Sequence, residues 1–140
     1  MADSFDIEIA TPERLLAREK AVRAQIPAKE GFIGVLPDHA SLLSELGIGA
    51  MTYTTPENRL FTLAVRGGFL EIHNNVVRVL SDVAEKGHEI DAPQAEKDLK
   101  AAQEAMVNPD LGVDLASALI AVRHAQARID AAKKAANNEE

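Results

Sequence analysis

The hydrophobic period of this chain changes once, near residue 90, and that change restricts the fold more than any other feature. Before it, short runs alternate apolar and polar residues. Phe5, Ile7 and Ile9 are separated by Asp6 and Glu8, and Val22, Ala24 and Ile26 by Arg23 and Gln25. A period of two suits a strand with one buried and one wet face. "MTYTT" and "RLFTLAV" flank Pro56-Glu57-Asn58, and "GGFLEIH" and "VVRVL" flank Asn74-Asn75. Both read as β-hairpins, the second because asparagine tolerates positive φ. Many short strands at even spacing favour a sandwich or a closed barrel, which bury sheet faces and protect edges.

After residue 90 the period lengthens to that of a helix. Asp91 is placed to cap, with Pro93 in the first turn and Gln94 three residues after the cap. Ala95, Leu99, Ala102 and Met106 then share one face. "VNPDLGV" breaks the pattern, and a second helix is expected from about Asp114. Its stripe would be Leu115, Ala118, Leu119, Val122, Ala125, Ile129 and Ala132, with Lys133 and Lys134 in the last turns near the negative end of the dipole. A short connection makes the two helices antiparallel. The expected division is a β unit over residues 1–88 and a two-helix hairpin over 89–140, with a frayed "AANNEE" tail. The facing residues are largely alanine. Since a large buried aliphatic side chain contributes about 1.5–3 kcal/mol and few are available, the hairpin is expected to be weakly held and able to detach.

Composition removes several classes of function. Of 140 residues, 15 are basic and 22 acidic, a net charge of −7 that does not suit phosphate neutralisation, so no nucleic-acid partner is expected. Few aromatics are available as stacking platforms. There is no cysteine, hence no disulfide, thiolate metal site or cysteine nucleophile. "MADSFDIEIA" is not a secretory signal, and no run approaches the ~18 apolar residues of a membrane span. The chain reads as cytosolic, reaching a membrane only through a partner.

The chemical candidates are weak. His39 lies beside Asp38 and two residues from Ser41, but catalytic triads assemble from separate elements, so a polar turn is the better reading. His73, His88 and His124 show no metal-ligand spacing. Gly47 and Gly49 lack the third glycine and following helix of a dinucleotide loop. Gly67-Gly68, between two strand patterns, marks a bulge or a close backbone approach. No enzyme activity, cofactor or metal is expected. The last helix differs: from Leu115 to Ala136 the basic residues are Arg123, Arg128, Lys133 and Lys134, against Asp130 as the sole acid. Such a face is either solvated or docks on an acidic partner or anionic lipid.

"FDIEIATPERLL", "IPAKEGFIGVLPDHASLLSELGIGAM" and "LAVRGGFLEIHNNVVRVLSDVA", followed by an alanine-rich helical pair, resemble in order the ε subunit of rotary F-type ATP synthases. The most specific parts are Gly31 to Leu43 and Gly67 to Ile72. The resemblance implies a β-sandwich of about ten strands followed by an antiparallel helical hairpin. It implies a non-catalytic rotor subunit that binds γ, sits against the c-ring and couples proton flow to ATP synthesis. The hairpin would extend along γ towards the catalytic β and α subunits and restrain ATP hydrolysis, its basic helix meeting acidic β segments. Glu30, Phe32, Pro37, Asp38, His39 and Leu42 carry over as candidate rotor contacts, with Phe32 or Leu42 alternatively in the core. Some bacterial relatives bind ATP through a motif of the form I/L-D-x-x-R-A. Here that stretch is Ile90 to Ala95, with Gln94 in place of the arginine, His124 in place of one second-helix arginine, and Arg128 matching another. The alternative function is an ATP-sensing module whose helical hairpin closes over nucleotide; the Gln94 departure counts against it, since losing those charge-assisted contacts implies weak ATP binding or none. The resemblance implies the cytoplasmic face of a bacterial inner membrane, bound peripherally.

Overall fold

In the computed structural model, residues 2–138 are described. The strands are β1 (Phe5–Ala10), β2 (Leu15–Ala21), β3 (Arg23–Ala28), β4 (Gly31–Val35), β5 (Leu42–Glu45), β6 (Ile48–Thr54), β7 (Leu60–His73) and β8 (Val76–Lys86). A short 3-10 turn, Gly87–Glu89, leads to α1 (Ala92–Val107), and α2 (Leu115–Asn138) follows. β7 and β8 pair antiparallel along almost their whole length. Their register passes from Arg66↔Val83 to Gly68↔Ser81, leaving Gly67 and Asp82 unpaired where both strands change direction.

That shared bend makes the sandwich. The second half of β7 pairs with β5 and with the first half of β8, which in turn pairs parallel with β1, and β1 with β2. The first half of β7 pairs with β6, β6 with β3 and β3 with β4. Each layer therefore has five segments, although the strands number eight. The resemblance implied about ten strands; the ten layer segments are present, but β7 and β8 each run unbroken through both layers, which leaves eight strands. Phe5, Ile7, Ile9, Ile26, Met51, Leu63, Val65, Leu70, Ile72, Val77 and Val79 fill the space between the layers. These are the inward positions of a period-two pattern, each contributing about 1.5–3 kcal/mol on burial.

The bend is a close backbone approach rather than a bulge. Gly68 has φ 109°, and a Cβ there would lie 2.0 Å from the carbonyl oxygen of Leu80. The buried Ser81 hydroxyl donates to Val83 O at 2.7 Å and accepts from the Arg66 N–H at 3.3 Å, satisfying polar groups where the ladder is interrupted. Asn74 and Asn75 have φ 50° and 63°, as the second hairpin requires.

Both helices are capped by aspartate. Asp91 accepts from the Gln94 N–H at 3.1 Å and Asp114 from the Ser117 N–H at 2.8 Å. The Ser117 bonds hold the Asp114 carboxyl below its ordinary range. α2 continues to Asn138, so Ala135 to Asn138 are helical rather than frayed, while Glu139 and Glu140 lie outside the described residues. Lys133 and Lys134 consequently precede the final turn, so the dipole favours them less than it would within that turn. Leu115, Leu119 and Met106, expected on the buried stripes, are exposed; the alanines of α2 that meet the sheet, Ala127 and Ala131, lie two or more turns further along the helix than the two leucines.

α2 is buried on two sides. It packs along α1 and also across β6 and β7. There Ala127 and Ala131 meet Ala50 and Ala64, with Ile48 and Ile90 at the margin. All four central residues are alanine, which lets the helix approach the sheet closely. At Gly87 a Cβ would lie 2.7 Å from both Ala131 O and Ala135 Cβ.

Candidate interaction surfaces

The turn after β4 is held by hydrogen bonds from its neighbours. Asp38 has φ 63°; its N–H donates to Asn75 Oδ1 at 2.8 Å and its Oδ2 accepts from the Ala2 N–H at 2.8 Å. Asn75 Nδ2 donates to Ser4 O at 2.8 Å. His39 Nδ1 lies 2.7 Å from Ala40 O, while Ser41 Oγ lies 3.2 Å from Nδ1 of His73. His39 and Ser41 thus bond to different partners, as a polar turn does and a nucleophile–base pair does not.

The six candidate contacts do not form one patch. Pro37, Asp38 and His39 lie at the end of β4 nearest the β7–β8 hairpin, whereas Glu30 lies in the β3–β4 turn at the other end. The five residues of β4 between them span about 16 Å. Leu42 packs against the sandwich core. Its neighbour Leu43 is 72% exposed and takes the outward position. Phe32 is exposed on the layer that carries the hairpin, in a cleft of about 440 Å³ shared with Leu99, Val122, Arg123 and Lys134.

A row that the sequence reading did not single out crosses the outer face of the other layer. Leu15 pairs with Ala10, Ala10 with Leu80 and Leu80 with Phe69. Leu15, Leu80 and Phe69 are each about half exposed, and Leu43 lies diagonal to Phe69. The next row is charged and paired within itself, Arg18 to Glu8 at 2.9 Å and Arg78 to Glu8 and Glu71 at 3.4 and 3.5 Å. The signal was available in the sequence as apolar doublets. Leu15-Leu16, Leu42-Leu43, Phe69-Leu70 and Val79-Leu80 each put one side chain on each face of a strand.

The hairpin and the sandwich meet in a charged junction. Arg128 on α2 donates from Nε to Glu85 Oε1 at 2.7 Å and from Nη2 to Glu85 Oε2 at 3.3 Å, and its Nη1 lies 3.5 Å from Asp98 of α1. One turn earlier, His124 Nδ1 accepts from Arg66 Nη1 of β7 at 2.9 Å. Burial first, then the charges of Arg66 and Arg128, hold the His124 imidazole below its ordinary pKa. Of the candidate nucleotide contacts, Arg128 is engaged with two carboxylates, Asp91 caps α1, and Ile90 packs against the alanine cluster. Arg123, Lys133 and Lys134 are exposed. Among the described residues no group of acids and histidines is arranged to hold a metal, and no helix is long and apolar enough to cross a membrane.

Comparison with known proteins gives a consistent result. Residues 4–87 match the family model described as ATP synthase, Delta/Epsilon chain, beta-sandwich domain. The ATP synthase epsilon chain of Solibacter usitatus is 48% identical over 134 residues, 96% of this chain and 99% of that one. The epsilon chain of Carboxydothermus hydrogenoformans is 44% identical over 104 residues, 74% of this chain and 77% of that one. A chain in the cryo-EM structure of the Euglena gracilis mitochondrial ATP synthase (OSCP/F1/c-ring) superposes with a TM-score of 0.81 at 22% identity, covering 98% of this chain and 83% of that one. A chain of the Tetrahymena thermophila mitochondrial ATP synthase central stalk and c-ring gives 0.58 at 17% identity, covering 93% and 94%. The two structures support the fold; the sequence matches go further, and by them the chain belongs to the ATP synthase epsilon chain family.

Proposed function

We propose that this chain is a rotor subunit of the central stalk, binding γ through the outer face of the β1–β2–β5 layer and meeting the c-ring with the loops at one end of the sandwich. The observation that carries this reading is the unequal use of the two outer faces. One is covered by the chain's own hairpin, while the other presents the Leu15–Ala10–Leu80–Phe69 row to solvent beside charges that already pair with one another. Apolar rows of this kind are what a stable subunit interface covers. The Tetrahymena structure, described as central stalk and c-ring, is consistent with that placement. The family is that of a non-catalytic subunit, so its contribution to ATP synthesis and proton transport is mechanical.

The sandwich over residues 1–88 is the coupling unit and the hairpin over 89–140 the regulatory one. Detached from the sandwich, the hairpin would reach the catalytic α and β subunits and restrain hydrolysis, Arg123, Lys133 and Lys134 meeting acidic surface. Arg128 becomes free for such contacts only after it leaves Glu85 and Asp98, and ATP would have to displace the same two carboxylates. Nucleotide binding is therefore weak or absent in the docked state. In the assembled complex the subunit lies on the cytoplasmic face of the bacterial membrane, held through its partners.

The test is reconstitution with γ. The chain is expected to form a stable one-to-one complex, and so is a version ending at residue 89. The double variant Leu80→Ser, Phe69→Ser should remain folded and bind γ at least tenfold more weakly. Undiminished binding by that variant would move the interface elsewhere. Hydrolysis by the assembled complex should rise when residues 90–140 are removed.

A further inference from the structure

The charged junction between hairpin and sandwich contains a histidine, His124, whose hydrogen bond to Arg66 has a fixed direction. Arg66 is a donor only, so at 2.9 Å the Nδ1 of His124 must be the acceptor and the proton of the neutral ring sits on Nε2. Protonation would turn Nδ1 into a second donor facing a guanidinium, replacing an attraction with a repulsion between cations. The remaining charged groups around the ring are Arg128 on its own helix, Glu85 on β8 and Asp98 on α1. Those two carboxylates are bonded to Arg128, and although their charge favours the protonated ring, burial and the two arginines act more strongly against it.

We propose that His124 and Arg66 form a proton-sensitive latch, which holds the helical hairpin on the sandwich while the imidazole is neutral and releases it when the imidazole is protonated. The latch sits where release matters. His124 and Arg128 are one turn apart on α2, on the side whose Ala127 and Ala131 meet the sheet. Since those contacts are between alanines, polar bonds carry an unusual share of the docking energy. The inference stands on the docked geometry and does not depend on the regulatory role proposed for the hairpin.

The sign follows from linkage. The docked state disfavours the protonated ring and the released state does not, so docking is strongest above the ordinary histidine pKa of about 6.5 and weakens as pH falls through it. If the docked ring stays neutral, lowering the pH from about 7.5 to about 5.5 reduces the docking constant about tenfold. The change is smaller to the extent that the docked ring can be protonated.

The chain has no cysteine, so fluorophore pairs can be attached at introduced ones. One pair, Glu57→Cys with Lys100→Cys, reports sandwich to hairpin; a second, Glu13→Cys with Glu57→Cys, reports the sandwich alone. All three positions are exposed. Both pairs are measured on the full chain in urea chosen to release half of the hairpins at pH 7.5. At pH 5.5 the docked fraction should fall from one half to about one tenth, with the sandwich pair unchanged. His124→Asn keeps an acceptor for Arg66 without the titration and should remove most of that pH dependence. The proposal is overturned if the wild-type docked fraction does not fall, if His124→Asn falls equally, or if both pairs change together at every pH.

Discussion

Arg128 of α2 and Glu85 of β8 form a two-bonded ion pair, at 2.7 and 3.3 Å, that joins the helical hairpin to the sandwich across 43 residues of sequence. The arginine side chain is 18% exposed and the glutamate 30%, so water only partly screens the pair. Arg128→Met keeps most of the apolar stem but leaves Glu85 and Asp98 without their cation. Docking should weaken by about 1–3 kcal/mol, the usual range for losing charged hydrogen bonds at a part-buried site. Amide exchange in α1 and α2 should accelerate while exchange in β1, β7 and β8 stays slow. Equal acceleration in both would mean that the pair supports the whole fold rather than the junction.

Gly87 should behave as a second, uncharged determinant of docking. A Cβ there would lie 2.7 Å from Ala131 O, a backbone atom that cannot move without moving α2. Gly87→Ala should push the helix off its alanine contacts and cost about 1–3 kcal/mol of docking, as overpacking does. A protease should then cut near residues 88–91 faster than in the wild type. An unchanged cutting rate would show that the helix accommodates the methyl by sliding.

The parts of this molecule that were legible in the sequence are those set by local rules. Asp91 reads as a cap because its side chain meets the Gln94 N–H within the same turn, and Asn74-Asn75 reads as a hairpin because asparagine tolerates positive φ without help from distant residues. The second buried side of α2 was not legible. Ala127 and Ala131 look like spacers until the sheet brings Ala50 and Ala64 against them. Arg128 reads as part of a basic helix, yet its carboxylates come from β8 and α1, which helix periodicity cannot reveal. Likewise Leu42 and Leu43 are equivalent as letters, and only pairing with Ile72 and Glu71 decides which faces the core.

The bend in β7 is the point on which both layers depend, and Gly68 is its least replaceable residue. The backbone has φ 109°, and an added Cβ would lie 2.0 Å from Leu80 O. Gly68→Ala therefore combines an unfavourable backbone conformation, about 1–2 kcal/mol, with a backbone clash of similar or greater cost. The expected loss is about 3 kcal/mol or more, seen as a lower urea midpoint for the sandwich. A midpoint within experimental error of the wild type would mean that the two layers can reorient without loss.

The Asp38 turn is held from outside its own sequence, and its anchor can be separated from the backbone shape of the β7–β8 hairpin. Asn74 and Asn75 both have positive φ, but it is Asn75 that accepts from Asp38 N–H and donates to Ser4 O. Glycine suits both conformations, so Asn75→Gly removes the amide without straining the hairpin. Two hydrogen bonds at about 0.5–1.5 kcal/mol each predict a loss of about 1–2 kcal/mol, allowing for partial replacement by water. Asn74→Gly should change stability by a few tenths of a kcal/mol at most, because it alters only chain entropy at a position already in the left-handed region. Asn75→Gly should also free residues 37–39, visible as faster amide exchange at Asp38, and weaken any partner contact made by that turn. Equal effects of the two substitutions would show that hairpin shape, rather than the Asn75 side chain, positions the turn.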